Sequence, residues 1–337
     1  MTASGSRAMA EKKDGCGRGE KNSITDVRGV KVAHLTIQKD LQGPKGQEVL
    51  VRTGLTAVVP YSMEKPLRLF CGSLSLKGSS EMTGLEVMDD FCYLNSPIVI
   101  ANSYNVGKAY NAILSYGFAL NRDEIWPPLI IGINDSYLNE MTGYTFAEKD
   151  ILEALFKATE GQVEEGSVGV GLGLKALDWK GGVGTASRKI TLGRQEFICG
   201  ALAASNHGNS DFKEGSLTLV IAVDIPLLPH QIDQVLRVVA ASLGPVHLQR
   251  NMSDAVAAVL FSTANAMSLV NGGPFLFDYQ AVDDSWLEKI IQACSETVAE
   301  SILNSLAKAK PVLGKMGRAA HTMPAAVLSK LLKNSGG

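Results

Sequence analysis

Residues 203–226 read AASNHGNSDFKEGSLTLVIAVDIP. The segment opens as a polar, glycine-containing loop, reaches Gly215-Ser216, and continues as an almost unbroken apolar run from Leu217 to Val223. β-Branched residues enrich the run, and Asp224 and Pro226 close it, so it predicts a central buried strand. Ser216 then stands at the head of a rigid strand, with a flexible glycine before it. Two readings fit the pair. One is an ordinary turn entering a strand. The other is chemical: breaking the Gly215–Ser216 bond would leave a serine with a hydroxyl and a free α-amine on the same residue. Such an amine titrates near about pH 8, close to where a general base for that hydroxyl is needed.

Lys180–Arg188 leads into Ile190–Leu192, and the spacing predicts a hairpin with Phe197–Ala204. With the strand from Leu217, this gives three or four adjacent strands in an antiparallel meander. After Pro226 the apolar period changes. Leu228, Ile232, Val235, Leu236, Val239 and Leu243 mark an amphipathic helix with Pro229 in its first turn. Ala255–Phe261 predicts another buried strand ending in Ser262-Thr263-Ala264-Asn265, and Ser285–Leu306 a long helix. On the N-terminal side, strands are predicted at Ile24–Val27 and Val30–Leu35 around a turn at Arg28-Gly29, then at Leu55–Pro60, Leu67–Leu74 and Pro97–Ala101. Glu86–Leu94 is ambiguous. A helix opens at Val106, a strand covers Leu129–Ile133 and ends in Asn134-Asp135-Ser136-Tyr137, and Phe146–Ala158 is helical. This order fits an α+β fold, a four-layer αββα sandwich. It reads as one domain over 22–310, with a disordered tail at 1–21 and a basic C-terminal extension at 311–337.

The 337 residues are 45% hydrophobic, enough for a large core. A formal net charge of -2 gives no support for nucleic-acid or membrane-surface partners. The five cysteines are odd in number and have no C-x-x-C spacing, which predicts reduced thiols and a cytoplasmic setting; no secretory signal pattern opens the chain. The five histidines are scattered without H-E-x-x-H, so no metal is expected, and no organic cofactor. The glycine-rich stretch 166–173 matches neither the phosphate-cradling nor the dinucleotide motif. Gly166, Gly169 and Gly184 are read as sites of close backbone approach.

Several blocks, taken together, resemble a known family. They are Asn22-Ser23-Ile24-Thr25-Asp26-Val27 with Gly29-Val30-Lys31-Val32, Thr53-Gly54-Leu55-Thr56-Ala57-Val58, and Asn134-Asp135-Ser136-Tyr137-Leu138-Asn139. Glu165-Gly166-Ser167-Val168-Gly169, the segment from Lys180 to Arg188, Ser205-Asn206, Gly215-Ser216 with its strand, and Phe261–Asn265 follow in order. The chain from Asn22 to about Leu306 is similar to the DmpA/BapA aminopeptidases, peptidase family S58. The resemblance implies an N-terminal-nucleophile-hydrolase-like sandwich with the topology shared by DmpA and ornithine acetyltransferase. It implies a precursor that cuts itself between Gly215 and Ser216 into associated fragments of 215 and 122 residues, assembled as a homo-oligomer. The activity implied is hydrolysis of the N-terminal residue of small peptides or amides, including β-amino or D-residues. The alternatives are an oligoamide hydrolase of the nylon-oligomer type, an ornithine-acetyltransferase-like acyltransferase, and an uncleaved non-enzymatic relative.

By the same resemblance Ser216 is the nucleophile, and the Asn206 amide with the Tyr137 hydroxyl faces the oxyanion. Two polar residues before the last strand are expected to orient the nucleophile and its amine. Here the aligned positions are Asp254 and Val256, so Ser253 and Asp254 become the stand-ins, a departure from the family pattern. Asn134, Asp135 and Glu140 are expected around the substrate. Where the family carries an acid ahead of the Asn-Asp pair, this chain has Ile133, which predicts a weakened preference for a free substrate amine. Arg188 is expected to pair with a buried carboxylate in a structural role.

Overall fold

The computed structural model describes residues 16–77, 81–122, 125–208, 215–243, 255–269 and 276–328. Ser253 and Asp254 lie outside the described residues. The first half contributes β1 (Gly17–Arg18), β2 (Lys31–Gln42), β3 (Glu48–Val59), β4 (Leu67–Leu76), α1 (Leu85–Phe91), β5 (Tyr93–Leu94) and β6 (Ile98–Asn102). There follow α2 (Val106–Ala119), β7 (Leu129–Ile133), α3 (Glu148–Phe156), β8 (Lys175–Ala176), β9 (Trp179–Lys180), β10 (Gly182–Leu192) and β11 (Gln195–Asn206). The last part holds β12 (Ser216–Val223), α4 (Pro229–Ser242), β13 (Ala255–Ser262), β14 (Met267–Ser268), α5 (Leu287–Ala307), β15 (Val312–Leu313) and β16 (Ala319–Ala320).

Two sheets stack face to face. The larger runs β1-β10-β11-β12-β13-β4-β14, with β5 also on β4, and the smaller runs β2-β3-β6-β7. Helices α4 and α5 cover the outer face of the larger sheet, and α2 and α3 cover the smaller. The four layers are therefore αββα. β12 shows why its sequence lacks polar alternation. Val220 and Ala222 join the core between the sheets, while Leu217, Leu219, Ile221 and Val223 join the core beneath α4 and α5. A strand buried on both faces reads as a continuous apolar run. By the same alternation Ser216 and Thr218 face the inter-sheet side.

The predicted meander holds for β10, β11 and β12, which pair antiparallel. The next neighbour does not continue it: β13 pairs with β12 in parallel. α4 separates the two strands in sequence, and such a connection carries the chain back to start the next strand at the same end. Ile24–Asp26 is a 3-10 turn and not a strand. The Ser23 side chain accepts from the Thr25 N–H, and the Asp26 carboxylate from the Ser23 N–H, local bonds that outweigh the β-propensity of Ile24. The ambiguous segment at 86–94 resolves into α1 and β5. Order starts before Asn22: β1 pairs with Arg188 and Lys189, and Arg18 meets Glu300 at 2.9 Å. Beyond residue 310, β15 and β16 form a hairpin whose Leu313 carbonyl accepts from buried Arg52 at 2.8 Å, so this part of the extension is packed against the body.

Arg188 takes the structural role expected of it, pairing with Glu300 on α5. Burial raises the Glu300 carboxyl, but Asn22, Arg188 and Arg18 outweigh burial and leave it below its ordinary value. Gly184 lets α5 lie directly on β10. A Cβ there would stand 2.1 Å from the Ser301 carbonyl oxygen and 2.2 Å from the Ser305 nitrogen. Both are backbone atoms of a long helix and cannot swing aside. Gly184→Ala is expected to cost about 2 kcal/mol, read as a lower urea midpoint at unchanged slope. A loss below about 0.5 kcal/mol would mean that α5 rides up without penalty.

Candidate active site

Register brings the key residues together. Asn206 ends β11 and Ser216 starts β12, and the two are direct antiparallel partners. Leu202 and Ala204 of β11 belong to the inter-sheet core, so Asn206 shares the inter-sheet face with Ser216. On the other side Ala255 opens β13 in register with Ser216. Ser216 is thus held between two strands and is 5% exposed. The Gly215 carbonyl accepts a hydrogen bond from the Ala255 N–H at 2.9 Å.

The opposite wall is the loop after β7. The Asn134 carbonyl accepts from Asn206 Nδ2 at 2.7 Å, while the Asn134 side chain accepts from the Ser136 N–H at 2.9 Å and shapes the turn. Asp135 points inward. Its carboxylate accepts from Thr53 Oγ1 at 2.6 Å, from Asn139 Nδ2 at 3.0 Å and from Asn102 Nδ2. Burial raises its pKa to about 6, against the three donors, which lower it. Asp135 therefore ties this loop to β3 and β6. Tyr137 is half-buried, with Lys175 Nζ 4.0 Å and Arg318 Cζ 5.2 Å from its ring centre. The Glu140 N–H donates to the Leu50 carbonyl at 3.0 Å, and its carboxylate accepts from Thr142 at 3.2 Å. Those partners place Glu140 beside Leu50 of β3.

Lys175 joins the two walls. Its backbone N–H donates to Asn206 Oδ1 at 3.2 Å, and its ammonium lies over Tyr137. No sequence motif marks Lys175, Ala255 or Arg318 as part of a site. Ala255 and Lys175 act here through backbone N–H groups, which no side-chain motif flags. Arg318 reaches Tyr137 only because the C-terminal hairpin folds back.

Known proteins show the same arrangement of elements. The l-aminopeptidase d-ala-esterase/amidase of Ochrobactrum anthropi, described as a prototype serine aminopeptidase and a variant of the Ntn hydrolase fold, superposes with a TM-score of 0.86 at 27% identity, covering 96% of each chain. A β-aminopeptidase of Burkholderia sp. gives 0.84 at 26% identity over the same shares. In sequence, the β-peptidyl aminopeptidase of Sphingosinicella microcystinivorans is 28% identical, covering 94% of this chain and 88% of that protein. The model of peptidase family S58 matches residues 22–320. The chain belongs to peptidase family S58. That membership establishes the N-terminal-nucleophile-like α+β fold and a serine-type hydrolase function at the level of the family. The S58 match also runs through β15 and β16, so the C-terminal hairpin is part of the family body.

Proposed function

We propose that this S58 chain cuts its own Gly215–Ser216 bond and then hydrolyses the N-terminal residue from small peptides or amides through an acyl-enzyme on Ser216. The observation that carries the reading is the pairing of Ser216, at the head of a buried central strand, with Asn206 on the same face. In the first reaction Ser216 Oγ attacks the Gly215 carbonyl carbon. The Ala255 N–H, already on that carbonyl oxygen, meets the developing negative charge. The C–N bond breaks, the Ser216 nitrogen takes the hydroxyl proton, and water hydrolyses the ester. The product is a free α-amine beside the hydroxyl.

In the second reaction that amine accepts the proton as Oγ attacks a substrate carbonyl, then passes it to the leaving amine. Water releases the acyl group. Asn206 carries two N–H bonds on Nδ2, and the Asn134 carbonyl takes one; the other is assigned to the oxyanion, with the Tyr137 hydroxyl beside it. The same reading includes Ser253 and Asp254 as the pair that orients the amine, Asn134 and Glu140 near the substrate, and assembly of the two-fragment unit into a homo-oligomer.

The test is release of p-nitroaniline from L-alanyl and β-homoalanyl anilides, each with its N-acetyl form. Turnover of the free-amine substrates is expected, and acetylation should lower kcat/KM by less than about tenfold, because Ile133 offers no charge to a substrate ammonium. A self-cut protein that turns over none of the four would transfer the reading to another amide class.

A further inference from the structure

Lys180 is fully buried, and its three acceptors are all backbone carbonyls. Nζ donates to Gly171 O at 2.6 Å, Leu174 O at 2.8 Å and Gly181 O at 2.6 Å. An ammonium has three N–H bonds, and these acceptors take all three. A buried charge is costly and burial lowers this pKa, while the three carbonyl acceptors favour the charged form. The fold sustains that cost at the turn beside Asn206.

The Leu174 carbonyl and the Lys175 N–H belong to one peptide unit. Its oxygen accepts from Lys180, and its N–H donates to Asn206 Oδ1 at 3.2 Å. Asn206 in turn donates from Nδ2 to the Asn134 carbonyl at 2.7 Å. The amide's orientation follows from its partners: a backbone N–H must face the oxygen, and a carbonyl must face the nitrogen. A continuous series therefore runs from the Lys180 ammonium through one peptide and one side-chain amide.

We propose that Lys180 is a positioning residue for the proposed oxyanion donor, fixing the Asn206 amide and polarising it through the Leu174–Lys175 peptide. The charge draws electron density toward the Leu174 oxygen and sharpens the Lys175 N–H as a donor. That donor acts the same way on Asn206 Oδ1, which strengthens the Nδ2 hydrogens. In a low-dielectric interior such polarisation adds along the series. This inference rests on the reading of Asn206 as the oxyanion donor.

The experiment is a double-mutant cycle with Lys180→Met and Asn206→Ala, with kcat and KM on an anilide substrate given per self-cut chain. Asn206→Ala is expected to lower kcat on the order of 100-fold. Lys180→Met should lower kcat about 10-fold or more while KM stays within about twofold, and should add nothing to Asn206→Ala. Equal losses from Lys180→Met in both backgrounds, or no loss in either, overturn the proposal. An unchanged kcat in Asn206→Ala removes the oxyanion reading itself, a separate outcome. Should Lys180→Met fail to fold, Lys175→Pro deletes the connecting N–H with the Lys180 side chain intact. Leu174 is extended (φ -82, ψ 145) and accepts a following proline. Lys175→Pro is expected to lower kcat about 10-fold below Lys175→Ala; equal values overturn the proposal.

Discussion

Under denaturing conditions the wild-type protein is expected to resolve by mass into two chains of 215 and 122 residues, the smaller beginning at Ser216, whereas Ser216→Ala gives one chain of 35.8 kDa. Anilide hydrolysis should fall on the order of 10,000-fold or more in the variant, because it loses the nucleophile and never exposes the α-amine. The substitution removes one oxygen at a buried strand start, so the sheet should survive it and the melting temperature should stay close to that of the uncut precursor. A single intact wild-type chain with full hydrolysis would sink the amine-as-base mechanism. Two fragments from Ser216→Ala would show that another group, or another protein, makes the cut.

Asp135→Ala is expected to cost about 2–4 kcal/mol at neutral pH. It strands three buried donors, on Thr53, Asn102 and Asn139, each worth about 1–3 kcal/mol when left unpaired. Removing a desolvated charge offsets part of that cost. The loop that presents the Asn134 carbonyl to Asn206 loses its tie, so hydrolysis should weaken as well. The pH dependence has a definite sign. From the ordinary value of 3.8 up to about 6, the folded protein holds a proton that the unfolded chain has released. Stability therefore falls as pH rises through that window, by about 3 kcal/mol if Asp135 acted alone. Asp135→Asn keeps the shape without the ionisation, so the difference between it and wild type in urea unfolding should change between pH 4 and pH 6. A constant difference across that range would show that the carboxyl does not titrate there.

Most of the sandwich is legible in the chain because its period changes are abrupt. The run from Leu217 to Val223 has no polar alternation, and α4 and α5 carry regular apolar stripes. Ile24–Asp26 misleads for a physical reason: apolar residues resemble a strand, while Ser23 and Asp26 satisfy the backbone locally. The parallel step from β12 to β13 depends on a helix returning over the sheet, which strand patterns do not encode. The pairing of Ser216 with Asn206 becomes readable only once resemblance singles out both residues. The supports of the site are hidden more deeply. Lys175 and Ala255 act through N–H groups common to almost every residue, and Lys180 looks like any surface cation until three carbonyls are found around it. Asp135 shows the reverse case, since an acid beside a candidate pocket turns its charge into the body.

The place of β12 and β13 within the larger sheet has a consequence for the history of the molecule. Both strands lie on the C-terminal side of the Gly215–Ser216 bond, yet they are wedged between β11 and β4, which lie before it. Once the proposed cut is made, β12 and β13 belong to one chain, and the strands paired on either side of them, β11 and β4, belong to the other. Folding that began as the collapse of a single tethered chain would have to be repeated as an encounter of two, each exposing half of a common core. The mature protein then keeps its form through the slowness of separation and not through ease of reassembly. Maturation would act as a ratchet, with the tether spent after it has served.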